Sequence, residues 1–455
     1  MGSDWHKVRL GDYVDSCLGK MLDKEKNRGE LFPYLGNKNV RWGAFELDDL
    51  AEMRVEDHEH DRYGLKFGDL IVCEGGEPGR CAIWKNQVPG MKIQKALHRI
   101  RPLQGLDNYY LHYWFTWAYR AGLLDPYFTG TTIKHLTGKA ISKLEIPLPA
   151  IATQKGIANI LDSLDGKIAL NHQINTTLET MAQTLFKSWF VDFDPVIDNA
   201  LAAGNPIPEE LKARAEARAA LGDQRKPLPD HIRQQFPDRF VMSEEMGWVP
   251  EGWPVKSLES MLELIGGGTP KTSINEYWNG DIPWFSVVDA PSTSDVFVTT
   301  TEKSITQSGL DNSSAKLLRK GTTVISARGT VGKCALVARP MAINQSCYGI
   351  IGKEGYSDAF IYYTVFLRVA DLQQRSHGSV FSTITRNTFK TIKVPACPPR
   401  LTTEYDAVVK GFMERILENN LQSETLSKLR DTLLPKLLSG ELRVPEAEAQ
   451  LAAIL

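Results

Sequence analysis

Nowhere does the chain of 455 residues hold an apolar run approaching the eighteen or so residues needed to cross a bilayer. No membrane span is therefore expected, and the polar start MGSDWHKVRL lacks the apolar core of a secretory signal, which points to the cytoplasm. Six cysteines, none in a C-x-x-C pair, exclude a disulfide frame and a zinc ribbon and fit a reducing compartment. The phosphate-cradling pattern G-x-x-x-x-G-K-[ST] is missing, because IGGGTPKTS (265–273) has its glycines, lysine and threonine at the wrong spacing. DFDP (192–195) lacks the aromatic of an amino-methyltransferase motif, and FPD (236–238) is not followed by the E-x-K of a metal-dependent nuclease. DHEHD (57–61) would put His58 and His60 on one face if extended, but reads more simply as a solvated loop, and no metal site is assigned. No nucleophile, base and orienting residue share a recognisable spacing. Catalysis by this chain is not expected.

Acidic residues are also missing from two long windows. Pro78 to Leu106 has none, against Arg80, Lys85, Lys92, Lys95, Arg99 and Arg101; Asn312 to Lys353 has none, against Lys316, Arg319, Lys320, Arg328, Lys333, Arg339 and Lys353. The whole chain has a net charge of −2, so these are local concentrations of positive charge rather than a global bias. Local positive charge is what neutralising a phosphate backbone requires.

The two windows correspond because the chain repeats itself. Trp5, Leu10, Ile146, Pro147 and Asn171 recur 248 residues later as Trp253, Leu258, Val394, Pro395 and Asn419. Gly76, Gly79 and Cys81 recur as Gly329, Gly332 and Cys334 at an offset of 253, the change implying short loop insertions. Each copy begins as an α/β unit, in which short strand-like runs such as DLIVCEG (69–75) and CAIW (81–84) precede an aromatic helix, NYYLHYWFTWAYRAG (108–122) or DAFIYYTVFLRVADL (358–372). Each ends in a long helix. Steps of four and three put Leu164, Ile168, Asn171, Asn175, Leu178, Ala182, Leu185 and Trp189 on one stripe, and Phe412, Ile416, Asn419, Ser423, Leu426, Arg430, Leu433 and Leu437 on the other. Neither stripe tolerates water, so the helices are expected to pair with each other, antiparallel. A helix of 27 residues (164–190) is about 40 Å long, close to the roughly 34–36 Å of one turn of duplex.

The expected fold class is therefore α/β (α+β): two similar recognition domains joined by two long antiparallel coiled-coil-like helices, with a pseudo-two-fold repeat. The division is 1–150 for the first domain, 151–190 for a central helix, 191–252 for a Pro/Ala-rich connector, 253–398 for the second domain, 399–442 for the C-terminal helix and 443–455 for a tail. One short helix, from about Pro208 to Leu221, is expected in the connector.

Two binding units on one chain suit a linear, nearly symmetric target, and double-stranded DNA is the foremost candidate. Residues of the types that contact bases and phosphates are Lys20, Asn37, Lys38, Asn39, Arg41, Arg80, Lys92, Gln94 and Lys95 in the first unit. In the second they are Lys271, Thr272, Ser286, Arg328, Thr330, Lys333, Asn344 and Gln345.

Several segments together resemble the specificity subunits of type I restriction–modification enzymes. They are IPLPAIATQKGIANILDSLDGKIALNHQINTTLETMAQTLFKSWFVDFDP (146–195), MGWVPEGWPVKSLESM (246–261), IGGGTP (265–270) and LRDTLLPKLLSGEL (429–442). The resemblance covers nearly the whole chain. It implies a non-catalytic subunit whose two target recognition domains read the halves of a split DNA sequence, with the paired helices as a ruler for the spacer. It implies as partners two modification subunits that bind S-adenosylmethionine and methylate adenine, and restriction subunits that use ATP and Mg²⁺ to translocate and cut. No cofactor is expected on this chain itself. In the second copy TTEYDAVV (402–409) replaces TQKGIANI (154–161), which suggests unequal contacts to the two modification subunits. The competing readings are a self-sufficient DNA methyltransferase or nuclease with an unrecognised site, and a protein-binding scaffold.

Overall fold

A computed structural model describes residues 5–23, 27–225, 227–375 and 383–454. The chain forms two compact units, one comprising Met1–Ile168 with Thr425–Leu455 and the other Ala169–Glu424. The central helix Ile151–Phe190 and the closing helix Pro399–Ser439 each contribute residues to both units. Both helices thus supply residues to each of the two cores.

The same three-sheet plan is built in each unit. In the first, Val14–Leu18, Leu97–Pro102, Leu70–Cys73 and Cys81–Ile83 form a sheet in that order, and Ala51–Val55, Glu30–Leu35 and Lys92–Ile93 form a second. The second unit repeats the first sheet with Leu262–Gly266, Cys347–Gly352, Thr323–Ser326 and Cys334–Val337, adding Phe297–Val298 at the edge. It repeats the other with Lys303–Ile305, Trp278–Phe285 and Met341–Ile343, adding Leu317–Leu318. A two-stranded clasp completes each unit: Lys7 pairs Pro147, and Val255 pairs Pro395, both 248 residues on. The aromatic helices are Asn108–Arg120 and Asp358–Leu367. Tyr110, Leu111 and Phe115 in one, and Phe360, Ile361 and Tyr363 in the other, are buried in their unit's core.

The long helices pair antiparallel within each unit. In the first, Asp165 meets Arg430 at 2.6 Å, and Gly156, earlier on the central helix, packs on Val444, beyond the end of the closing helix. In the second, Asn171 meets Ser423 (3.1 Å), Asn175 meets Asn419 (2.9 Å), and Ala182 accepts a hydrogen bond from Tyr405 (2.9 Å). The polar interruptions of the stripes thus face each other. Asn171, Asn175, Asn419 and Asn420 are buried, and the last also accepts from Asn175 at 2.7 Å, so the amides satisfy one another where an isolated one would be costly.

One expectation is corrected. Residues 443–455 were expected as a tail, whereas Val444–Ile454 is a helix with Ala447 and Leu451 buried in the first unit's core. Gln154 is buried, accepts from the Asp107 amide (2.8 Å) and donates to the carbonyls of Gly105 (2.9 Å) and Pro149 (2.8 Å). Thr402 takes the corresponding place and bonds the amide of Ser357 (3.2 Å), so the sequence difference reflects two ways of fastening the same loop. In the connector, helices run over Asp194–Ala203 and Glu209–Ala220, clipped together by Arg214 on Asp194 and Arg218 on Asp198. Among the described residues no helix is long and apolar enough to cross a membrane.

Candidate nucleic-acid interface

In each unit a pair of parallel strands places its ends side by side. Leu35 is in register with Ile93 in the first unit, and Phe285 with Ile343 in the second. The next amide bonds back across the pair, Gln94 to the Leu35 carbonyl (3.0 Å) and Asn344 to the Phe285 carbonyl (2.9 Å). The other strand of each pair leaves in a 3₁₀ turn. The Gly36 amide donates to Asn39 Oδ1 (2.9 Å), and the Ser286 amide to Asp289 Oδ2 (2.7 Å). A third segment lies across both ends, with Lys20 N on Ile93 O (3.0 Å) and Gly268 N on Ile343 O (2.9 Å). Its preceding residue is Gly19 or Gly267, where a Cβ would overlap the backbone of Gln94 or Asn344. Gly267 and Gly268 of IGGGTP thus answer a need for close backbone approach, whereas a Cβ at Gly266 would meet open space.

A hairpin stands beside these ends in both units. Cys73 N bonds Arg80 O (2.8 Å) and Gly79 N bonds Cys73 O (2.9 Å); the counterparts are Ser326 N to Lys333 O (2.9 Å) and Gly332 N to Ser326 O (2.9 Å). Gly76 and Gly79 have φ of +74° and +96°, and Gly329 and Gly332 of +74° and +92°, the left-handed region where a side chain is strained. The recurrence at an offset of 253 is therefore conformational. In the first unit the tip touches the strand ends directly, Asn37 Nδ2 donating to Gly75 O (3.2 Å) and Arg80 Nη2 to Asn37 O (3.0 Å). In the second, Ala327 N bonds Ser346 O (2.7 Å).

This construction gathers Asn37, Arg80, Gln94 and Lys95 into one rim, and Ser286, Arg328, Thr330, Lys333, Asn344 and Gln345 into the other. Thr269 bonds Gln345, and exposed Lys271 and Thr272 follow in the same loop. Lys38 and Arg41 lie on the turn and strand just beyond Asn37, both exposed.

Three residues expected at the interface are not at its surface. Lys20 is buried and ion-paired with Glu59. Asn39 is buried as the cap of its 3₁₀ turn, its amide also donating to Glu46 O at 3.0 Å. Lys92 is buried with Nζ 3.1 Å from His60 Nδ1 and 4.9 Å from the Phe32 ring centre, and burial lowers its pKa. All three are engaged by groups of the protein itself. His58 and His60 fall on a 3₁₀ turn (Asp57–Glu59) and the helix His60–Tyr63, not on an extended face. His58 clusters with Glu56 and Glu59, but Glu59 is already engaged by Lys20 and by the Glu56 amide (3.0 Å).

Electrostatically the rims differ. Arg80 is bound to Glu77 (3.0 Å), Arg41 to Glu46 (2.8 and 2.7 Å) and Lys38 to Asp49 (2.7 Å). Farther along the acid-free window, Arg99 pairs with Asp15 (2.7 Å) and Arg101 with Asp69 (2.7 and 2.8 Å). Carboxylates from outside the first window thus neutralise three of its six cations, Arg80, Arg99 and Arg101, and leave Lys85 and Lys95 exposed, the latter at the rim. Lys271, Arg328 and Lys333 of the second rim are exposed and form no ion pair among the described residues. Glu77 went unremarked in the sequence because it stands outside the basic residues' own window. Its alignment with Thr330, again at 253, is the signal that locates it.

Comparison with known proteins follows the same division. The family model described as the type I restriction modification DNA specificity domain matches residues 2–180 and 250–401. The chain is 31% identical over 97% of its length to the HindI specificity subunit of Haemophilus influenzae, all of which is covered. It is 30% identical to the MjaIX specificity subunit of Methanocaldococcus jannaschii over 41% of this chain and 43% of that one. Among solved structures, the type I S subunit of M. genitalium matches at 18% identity and a TM-score of 0.55, over 95% of this chain and 96% of that one, a likeness of fold.

Proposed function

The chain belongs to the specificity subunits of type I restriction–modification enzymes, and we propose that each of its two rims reads one half of a split duplex sequence. As a specificity subunit it directs DNA sequence recognition, while catalysis belongs to partner subunits of the system. The observation that carries the proposal is the twice-built rim: parallel strand ends, a close-packed glycine and a hairpin with two left-handed glycines, each time presenting Asn, Gln, Arg or Lys. Amide side chains suit adenine edges, guanidinium suits guanine, and ammonium suits phosphate.

In this reading Asn37, Lys38, Arg41, Arg80, Gln94 and Lys95 face the first half-site. Lys271, Thr272, Ser286, Arg328, Thr330, Lys333, Asn344 and Gln345 face the second. The helices that contribute to both units set the spacer length. Two modification subunits, carrying S-adenosylmethionine, and restriction subunits, using ATP and Mg²⁺, complete the assembly on the cytoplasmic DNA. Coverage of much of the surface by protein accounts for a net charge of only −2 in a DNA-directed chain.

The test is single-molecule sequencing of adenine methylation in cells expressing this chain with its modification partner, against the partner alone. Methylation in a two-part motif with a fixed gap, present only with this chain, is expected. Methylation indifferent to the chain would overturn the proposal.

A further inference from the structure

We infer that Glu77 is a base-reading residue of the first unit, accepting a hydrogen bond from an exocyclic amine in the DNA major groove, with cytosine N4 as its preferred donor. The assignment rests on the DNA-reading role proposed above and adds to it a residue and a chemistry.

Glu77 occupies the first hairpin where Thr330 occupies the second, between left-handed Gly76 and Gly79. Its carboxylate is fixed rather than mobile. Trp42 Nε1 donates to Oε1 at 2.8 Å, and Arg80 Nη1 donates to Oε2 at 3.0 Å. The Tyr119 hydroxyl hydrogen-bonds the same carboxylate, and its pKa is pushed up by burial, by the Glu77 charge and by that bond. The anchoring groups are themselves placed: Trp42 packs on Tyr119 with ring centres 5.0 Å apart, and Arg80 reaches the Asn37 carbonyl. The side chain is still 34% exposed, so it is open to solvent and to a ligand beside the strand ends.

A carboxylate in this place opposes phosphate binding. Held against a polyanion with no donor to meet, it would weaken the rim, and a threonine like that of the second hairpin would serve better. The donors around it hold it in place and aimed, which suits an acceptor that discriminates among base edges. In the major groove cytosine N4 and adenine N6 donate, whereas guanine and thymine present acceptors at the equivalent edge. Lone-pair repulsion against the wrong base then supplies selectivity as well as attraction to the right one.

The test compares the methylated motif produced by the full complex with wild-type chain, Glu77→Gln and Glu77→Thr. The wild-type motif should contain a cytosine in the half read by the first unit. Glu77→Thr should lower the preference for that base roughly 10-fold or more, the span a single base contact commands. Glu77→Gln, nearly isosteric, should make the same position degenerate or turn it to adenine, whose N6 and N7 an amide matches. The other half-site and the spacer should remain, which also certifies that the variant folds and assembles. An unchanged motif in both variants would overturn the assignment. So would loss of the entire first half, which would mark Glu77 as support for Arg80 alone, or loss of all methylation with Glu77→Gln in an assembled complex. Failure of the wild-type complex to yield any two-part motif would instead refute the proposed function itself.

Discussion

The two units share a fold and differ in charge. At the first rim Lys38, Arg41 and Arg80 are each matched by a carboxylate, whereas Lys271, Arg328 and Lys333 at the second have none among the described residues. Exposed ion pairs are worth under about 1 kcal/mol and open readily, but an opened pair leaves its carboxylate beside the phosphate. The attraction at these three residues is cancelled either way, and Lys95 remains as the exposed cation of that rim. On the proposed function the duplicated scaffold then has two tasks: the second rim would supply most of the salt-dependent grip, and the first would contribute fixed polar groups that discriminate. The helix pairing differs in the same sense. The first unit joins its helices through Asp165, held by Arg430 and Tyr113 (2.8 Å), and the second through neutral amides with His172 on Asp295 (3.0 Å).

The sharpest way to separate scaffold from charge is through the glycines. Gly19→Ala and Gly267→Ala each force a methyl into a backbone carbonyl. Each should destabilise its own unit by about 2–3 kcal/mol, the cost of overpacking without room to yield. Thermal unfolding should show similar losses, while DNA affinity should fall much further for Gly267→Ala. Equal losses of affinity would erase the distinction between the rims.

A smaller effect is expected from Arg430→Met. It removes the partner of half-buried Asp165 and leaves the Tyr113 hydroxyl as a remaining donor. A cost of about 1–2 kcal/mol in urea unfolding is expected, confined to the first unit as read by site-resolved hydrogen exchange. Loss of protection at Asn171 and Asn419 to the same extent would show that the two helix layers are one cooperative element.

The smallest effect distinguishes the layers by pH. The His172 pKa is raised, first by its hydrogen bond to Asp295, against the opposing effect of burial. A raised folded-state value means that the contact's stabilisation is complete below the ordinary histidine range near 6.5 and is lost as pH rises through the folded value. The second unit should therefore weaken slightly between about pH 6 and 8, and His172→Gln should flatten that slope. A slope that survives in His172→Gln would assign it elsewhere.

Much of this was legible in the sequence, for identifiable reasons. The repeat preserved left-handed glycines, clasp prolines and helix stripes, all fixed by local backbone geometry or periodicity, and these placed the hairpins and the helix pairing. Charge was less legible, because an acid-free window says nothing about Asp15 and Asp69 arriving from elsewhere in the fold to meet Arg99 and Arg101, or about Glu77 at its border meeting Arg80. Lys20 and Lys92 misled for the same reason: their cationic ends lie inward, against Glu59 and His60. Glu77 needed both copies side by side, since only its counterpart Thr330 had the chemistry looked for.

The division of labour is tested most directly by the salt dependence of DNA binding in the assembled complex. Each phosphate contact removed lowers the slope of log K against log salt by about 0.9 on duplex DNA. Arg328→Ala with Lys333→Ala should reduce it by about 2, whereas Arg41→Ala with Arg80→Ala should change it by less than about 0.5. Equal reductions by the two pairs would contradict the assignment of the grip to the second unit.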